Sequence, residues 1–227
     1  MHQAASAAVL VVLLLASALA QAEPLPSSGP DDAATVFDAR PSVIQNRKYQ
    51  LDHEFAFSAG VLPVDPFYKS LLGTFGYTIH LSDNWAWEIG QFSYAYNVAT
   101  SLLTKLQRTA EAAGTTVPAL PAVQWIAATH LVLKPLYGKE AVFNTRVVHL
   151  EAFLQIGPDV VSMTNSGGKL DFGADVGGGL RLWLARSWST RLDLGELVYL
   201  HDANGSRRIR QALELRLGLA FTLGGEE

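Results

Sequence analysis

Leu213-Glu214-Leu215-Arg216-Leu217-Gly218-Leu219-Ala220-Phe221-Thr222 alternates apolar residues with charged or small ones, without a break. A period of two belongs to an extended strand, whose successive side chains point to opposite faces. One face of this strand is leucine after leucine and ends on Phe221. The other carries Glu214, Arg216 and small residues. The segment therefore divides an apolar environment from one that holds charge.

The same pattern recurs upstream. Phe55, Phe57, Ala59 and Val61 oppose Glu54, Ser58 and Gly60, and Phe75, Tyr77, Ile79 and Leu81 oppose Thr74, Gly76, Thr78 and His80. Trp85, Trp87 and Ile89 oppose Glu88 and Gly90, after which the parity blurs over Gln91–Tyr96, where a bulge is expected. Val123, Trp125, Ala127, Thr129, Leu131 and Leu133 form the next apolar face, with His130 on the other parity. Val148, Leu150, Ala152, Leu154 and Ile156 oppose His149, Glu151, Phe153 and Gln155. Phe172, Ala174, Val176, Leu180 and Leu182 oppose Asp171, Gly173, Asp175, Gly177, Gly179 and Arg181. Leu192, Leu194 and Val198 oppose Arg191, Asp193 and Gly195. The count is eight strands of about 10–13 residues, above the usual mode of about 5–6. Ser82–Asn84 and Lys134–Lys139 read as turns, and Thr100–Ala113, ending before Gly114, reads as a short helix in a loop.

Alternation alone does not say whether the apolar face meets a core or a lipid. A strand of about 11 residues at roughly 3.3 Å each, tilted about 40°, rises about 28 Å, close to the ~25 Å apolar band of a transmembrane barrel. The connections Pro63–Leu71, Val98–Ala122, Pro158–Lys169 and His201–Arg208 read as long, whereas Ser82–Asn84 and Ala185–Ser187 are short, as expected of outer loops and periplasmic turns. Trp85, Trp87, Trp183, Trp188 and Phe221 fall near the periplasmic strand ends, where aromatics prefer the membrane interface. These features predict an all-β fold, a closed antiparallel up-and-down transmembrane barrel of eight strands, with a short helix in one extracellular loop.

Composition agrees. The chain has 227 residues, 17 Lys+Arg against 21 Asp+Glu, and only 17% charged residues, below the roughly 25% usual for soluble domains. Mean hydropathy is +0.16, yet the one long apolar run is Ala4–Ala20. The absence of a basic cluster excludes a nucleic-acid footprint. With no cysteine there are no disulfides, thiolate chemistry or cysteine-held metals. Residues 1–22 read as a secretory signal: Val9–Leu15 is the apolar core, and Ala20-Gln21-Ala22 precedes cleavage at Glu23, although the first residues lack Lys and Arg. Residues 23–46, rich in Pro, Ser and Gly, read as a flexible periplasmic leader. The barrel is expected over residues 47–223, with a tail at 224–227.

Several short blocks in order carry a resemblance: Gln45-Asn46-Arg47-Lys48-Tyr49, Gly60-Val61-Leu62-Pro63, Phe67-Tyr68-Lys69, His80-Leu81-Ser82-Asp83, Trp87-Glu88 and Tyr137-Gly138-Lys139. From Val43 to Leu223 the chain resembles a family of short bacterial outer-membrane β-barrel domains, OmpA/OmpX-like and many from gliding bacteria. The resemblance implies an eight-stranded outer-membrane barrel and, for some relatives, a place in envelope-spanning motility assemblies. It carries no catalytic motif. The chain departs from the usual barrel ending, since Phe221-Thr222-Leu223 is followed by Gly-Gly-Glu-Glu rather than closing on an aromatic.

If the apolar parity faces lipid, the other parity fills the lumen, because eight strands enclose only enough room for their own side chains. That parity brings inward Glu54, Glu88, Glu151, Asp171, Asp175, Asp193 and Glu214, with Arg181, Arg191, Arg216, His80, His130 and His149. The histidines and Glu54, Glu88 and Glu151 should gather near the periplasmic end, beside Arg181 and Arg191. An ion-paired plug is the expected result, since unpaired buried charge costs several kcal/mol. A divalent-metal site or pH gate is the functional alternative. No cofactor is expected. A triad of Ser58, Asp52 and His53 fails because alternation turns His53 away from the other two. Nothing in the sequence brings Asp159, Asp171, His201 and Asp202 together at the outer rim, so no enzyme is expected. Gly167-Gly168 and Gly177-Gly178-Gly179 lack the strand-to-helix context of a phosphate loop; interior glycines instead leave room for large side chains.

The expected role is a structural or interaction module of the envelope. Its partners are outer-membrane lipid, the barrel-insertion machinery, and envelope proteins meeting the leader or the 98–122 loop, where Leu102, Leu103 and Leu106 sit at helical spacing. The alternatives are a small-solute channel and a soluble periplasmic lipid-binding barrel whose apolar face lines a ligand cavity.

Overall fold

The computed structural model describes residues 52–117, 120–142, 146–164, 169–203 and 206–224. The expected signal, with Ala20, Ala22 and Glu23, and the leader to Asn46 lie outside the described residues. Eight strands run in order: β1 His53–Leu62, β2 Tyr68–His80, β3 Trp85–Ala99, β4 Val123–Val142, β5 Arg146–Met163, β6 Leu170–Trp183, β7 Trp188–Ala203 and β8 Ser206–Leu223. Each pairs antiparallel with the next, and β1 closes on β8, His53 facing Leu223 and Val61 facing Leu215. Closure leaves no sheet edge around the barrel wall, so its backbone donors and acceptors are paired within the sheet.

Side-chain parity follows the alternation in the sequence. On β8, Leu217 is 62% exposed while its neighbour Arg216 is 2% exposed and Glu214 1%. The soluble-barrel alternative, with leucines inside and charges in water, is overturned by these three residues. The parity break of β3 falls one step earlier than expected. Its register with β4 shifts between Glu88 and Gln91, so Trp85, Trp87 and Ile89 face out below the bulge and Phe92, Tyr94 and Tyr96 face out above it.

Strands are longer and outer loops shorter than the sequence suggests. β4 spans 20 residues and β5 18. Lys134–Lys139, expected as a turn, continues β4: Leu136 pairs with Ala152 and Tyr137 with Glu151, and Pro135 sits where the register shifts between Leu133 and Leu136. A proline has no N–H for the ladder, and a bulge accommodates it. β4 and β5 go on pairing beyond Trp85 of β3, opposite Leu133, and beyond Trp183 of β6, opposite His149. They form a two-stranded ribbon at the barrel end that carries the chain termini of β1 and β8. At the other end β5 reaches Met163 and β7 reaches Ala203, so residues expected in long loops belong to strands. The loop asymmetry rests on one connection, between β3 and β4.

That connection holds α1, Ser101–Ala112. Thr100 caps it, its side chain accepting from the Leu103 N–H. Gly114 takes φ 71° just past the helix end, and the Gly114 and Thr115 N–H groups donate to the carbonyls of Glu111 and Ala110. This is a Schellman ending, which a glycine adopts without a Cβ penalty.

Candidate functional site

The lumen is filled in tiers. The tier nearest the termini centres on Glu54, fully buried on β1. Arg181 Nη2 donates to Glu54 Oε1 at 2.6 Å, and Arg191 Nη1 to the same oxygen at 3.3 Å. His80 Nε2 lies 3.0 Å from Glu54 Oε2, and its Nδ1 lies 3.1 Å from Lys134 Nζ. Arg181 also donates to Glu151 at 3.0 Å, and Arg191 to Asp193 at 2.7 Å. Glu88 Oε1 is 3.9 Å from Arg191, and its Oε2 is 2.6 Å from His130 Nδ1. The Phe153 ring lies beneath the Arg191 guanidinium, 4.8 Å from its centroid. Arginine suits such a site because one planar group serves several carboxylates at once.

The backbone makes room for these groups. A Cβ on Gly179 would stand 2.6 Å from the Phe153 ring and against the Leu192 carbonyl. A Cβ on Gly76 would stand 2.8 Å from Glu88 Oε1. Gly179→Val is therefore expected to lower stability by roughly 1–3 kcal/mol through overpacking. Urea midpoints in detergent check this, and an unchanged midpoint would show that the lumen has slack.

Farther along, Arg216 Nη1 is 3.4 Å from Glu214 Oε2. Asp159 and Asp175 share this buried middle tier, and neither Asp159 oxygen has a hydrogen-bond partner in the protein. Buried carboxyls of this kind are ordinarily satisfied by water. Voids of about 10 Å³, about one water each, lie beside His80, Lys134, Glu151 and Arg181 and beside Thr74, Glu88, Asp193 and Arg216.

Toward the helix-bearing end the filling turns apolar. Leu62, Leu72, Ala95, Val123, Ile126, Val161, Met163, Leu197 and Tyr199 form one buried cluster drawn from β1, β2, β3, β4, β5 and β7. Beyond Tyr199, His201 Nδ1 meets Asp171 Oδ2 at 2.7 Å.

Measured against the sequence, His80, His130, Glu54, Glu88 and Glu151 do gather beside Arg181 and Arg191. His149 is buried too and packs at a tilt on Tyr137, their ring centroids 5.9 Å apart. Lys134, assigned to a turn, is buried in the tier, and Asp159, assigned to the rim, is inside. Asp171 and His201 do meet. The sequence does carry a signal for the apolar cluster: Leu197 and Tyr199 continue the inward parity of Arg191, Asp193 and Gly195. Among the described residues, no three His, Asp or Glu side chains are placed to hold a metal ion.

The exterior is the reverse. Phe57, Tyr96, Phe172, Ile209 and Leu217 are among many large apolar side chains exposed on the wall, far more than a soluble monomer leaves uncovered. Trp85, Trp87 and Trp188 are exposed near the termini end, and Trp188 packs on Phe221 at 5.0 Å. Trp183 departs from the expected interface ring: it is 4% exposed, with the Arg181 guanidinium 5.8 Å from its centroid. The reason is parity, since Trp183 follows Arg181 by two residues and points inward with it.

No protein-family model and no curated protein sequence matches the chain. Solved structures do. The N-terminal β-barrel domain of Pseudomonas aeruginosa OprF aligns at TM-score 0.39 and 11% identity, over 77% of this chain and 100% of that one. Neisserial surface protein A aligns at TM-score 0.38 and 9% identity, over 75% and 94%. The outer membrane protein AlkL, determined in lipid bilayers, aligns at TM-score 0.36 and 14% identity, over 90% and 98%. At these identities the likeness concerns the fold alone. A wall suited to hydrocarbon, closed without an edge around an interior that pairs its own charges, makes this an integral β-barrel, the architecture that spans outer membranes.

Proposed function

We propose that the chain is a non-enzymatic, non-conducting barrel that serves as a structural or interaction module of the cell envelope. The observation that carries this reading is the filling of the lumen, an ion-paired tier at one end and an apolar layer at the other. A permeation path would have to break both. Separating Glu54 from two guanidinium groups exposes buried charge, and burial of each large side chain in the apolar layer is worth roughly 1.5–3 kcal/mol.

A module of this kind acts through its ends. The inner end offers the ribbon of β4 and β5 and the expected leader; the outer end offers α1. Membership of an envelope-spanning assembly, which the sequence resemblance implies for some relatives, would use contacts at the inner end. Planar-bilayer recordings of the purified protein test the reading. The expected result is a baseline with at most brief, small events; a steady open level would overturn it and favour the solute channel.

A further inference from the structure

The helix α1 carries an apolar flank that the barrel does not cover. Leu103 is buried and anchors the first turn, while Leu102 and Leu106 are exposed. Leu102, Leu106, Thr109 and Ala113 follow i, i+4, i+7 and i+11, so they line one flank of the helix. Lys105 and Arg108 lie exposed on the polar side, with Glu111 farther round. The helix has no slack at its start. The Thr100 N–H donates to the Phe67 carbonyl at 2.9 Å, and the Thr100 hydroxyl to the Pro66 carbonyl at 2.9 Å. α1 is thereby pinned to the rim beside the β1–β2 connection.

The chain enters this helix directly from β3, whose exposed side chains Phe92, Tyr94, Tyr96 and Val98 belong to the lipid-facing wall. The leucine flank thus follows the apolar stripe of β3 in sequence, and Tyr94 and Tyr96 are of the type that marks the interface level. From this continuity, and from the cations beside it, we propose that α1 lies in the outer-leaflet interface. Leu102 and Leu106 enter the acyl region, and Lys105 and Arg108 meet the phosphates of anionic headgroups. An interfacial helix with an apolar face and basic neighbours binds through this combination of burial and charge. The inference rests on the membrane reading of the barrel, and its occupant is a lipid surface rather than a protein.

The chain has no cysteine, so single-cysteine labelling is clean. A polarity-sensitive fluorophore is placed at Thr109→Cys on the leucine flank, at Glu111→Cys across the helix, and at Leu217→Cys on the wall, in otherwise unaltered full-length protein. Each is reconstituted in phosphatidylcholine vesicles with and without phosphatidylglycerol and challenged with lipid-borne quenchers. The expected result is quenching by shallow quenchers at residue 109, none at 111, and quenching by deep quenchers at 217. Lys105→Glu with Arg108→Glu should abolish the quenching at 109 in anionic vesicles. A label at 109 that stays aqueous while 217 is quenched overturns the inference and leaves the barrel reading intact. An aqueous label at 217 removes the membrane reading itself. Equal quenching at 109 in both lipids, untouched by the charge reversals, overturns the phosphate contact. Cross-linking of Thr109→Cys between copies, with no lipid quenching, assigns the flank to a second copy instead.

Discussion

Glu54→Ala is expected to cost the folded barrel about 3–5 kcal/mol, the range typical of removing one partner from a buried ionic group. The side chain is fully buried and touched by His80, Arg181 and Arg191 at once. Its loss leaves two guanidinium groups competing for Glu151, Asp193 and Glu88. The destabilisation comes mainly from those stranded cations and only partly from the lost attraction. Removing the whole group should therefore be far milder than removing its centre. The replacement of the group as a whole, Glu54→Leu, Glu151→Leu and Asp193→Leu together with Arg181→Met and Arg191→Met, leaves Glu88 with His130 at 2.6 Å and is expected to recover most of the loss, since well-packed apolar residues commonly replace a buried ionic cluster at little cost. Urea titration of the refolded protein in vesicles, followed by tryptophan emission, gives both values. A Glu54→Ala midpoint within about 1 kcal/mol of the parent, the range of a solvated surface pair, would show that water reaches this tier and that the plug is loose.

What the alternation could convey was the face on which each side chain lies. It placed Glu54, Glu88, Arg181 and Arg216 inside and Leu215, Leu217 and Leu219 outside, because parity is a local property of an extended chain. It could not convey what happens where the local rule is broken. Pro135 and Gly138 carry turn chemistry, yet the pairing of Leu136 with Ala152 holds them in a strand, and Lys134 is drawn into the lumen as a result. Trp183 breaks a different rule. Its chemistry suggests an interface, but its parity, two residues from Arg181, decides its direction. The meeting of Asp171 with His201 depends on the register of β6 with β7, in which Phe172 faces Leu200. Register is set by the whole sheet and is invisible in either strand alone. The apolar layer is written in the inward parity itself, where Leu197 and Tyr199 follow Arg191 and Asp193. In a narrow barrel only close filling is required, and leucine or tyrosine fills a lumen as well as an ion pair does.

The wall makes the opposite demand, and Leu217→Arg is the substitution that tests it. Leu217 faces Ala59 of β1 and Leu192 of β7, four positions along β8 from Phe221. At roughly 3.3 Å per residue and the tilt of a barrel strand, it stands about 10 Å above the Trp188–Phe221 aromatic pair, close to the middle of a ~25 Å apolar band. An arginine there is expected to cost about 2–4 kcal/mol of folding free energy in vesicles. Ile209 is equally exposed but lies toward the other end of β8, opposite Leu200, so Ile209→Arg should cost only about 0–1 kcal/mol. The comparison matters more than either value. A soluble barrel would tolerate both arginines on its surface, and a protein-covered wall would reject both according to packing. Only a lipid-facing wall grades the cost with depth, because the arginine near the rim reaches the headgroups and the one at mid-height does not. Equal and negligible costs at the two positions would mean that hydrocarbon does not cover this face, whatever its leucines suggest.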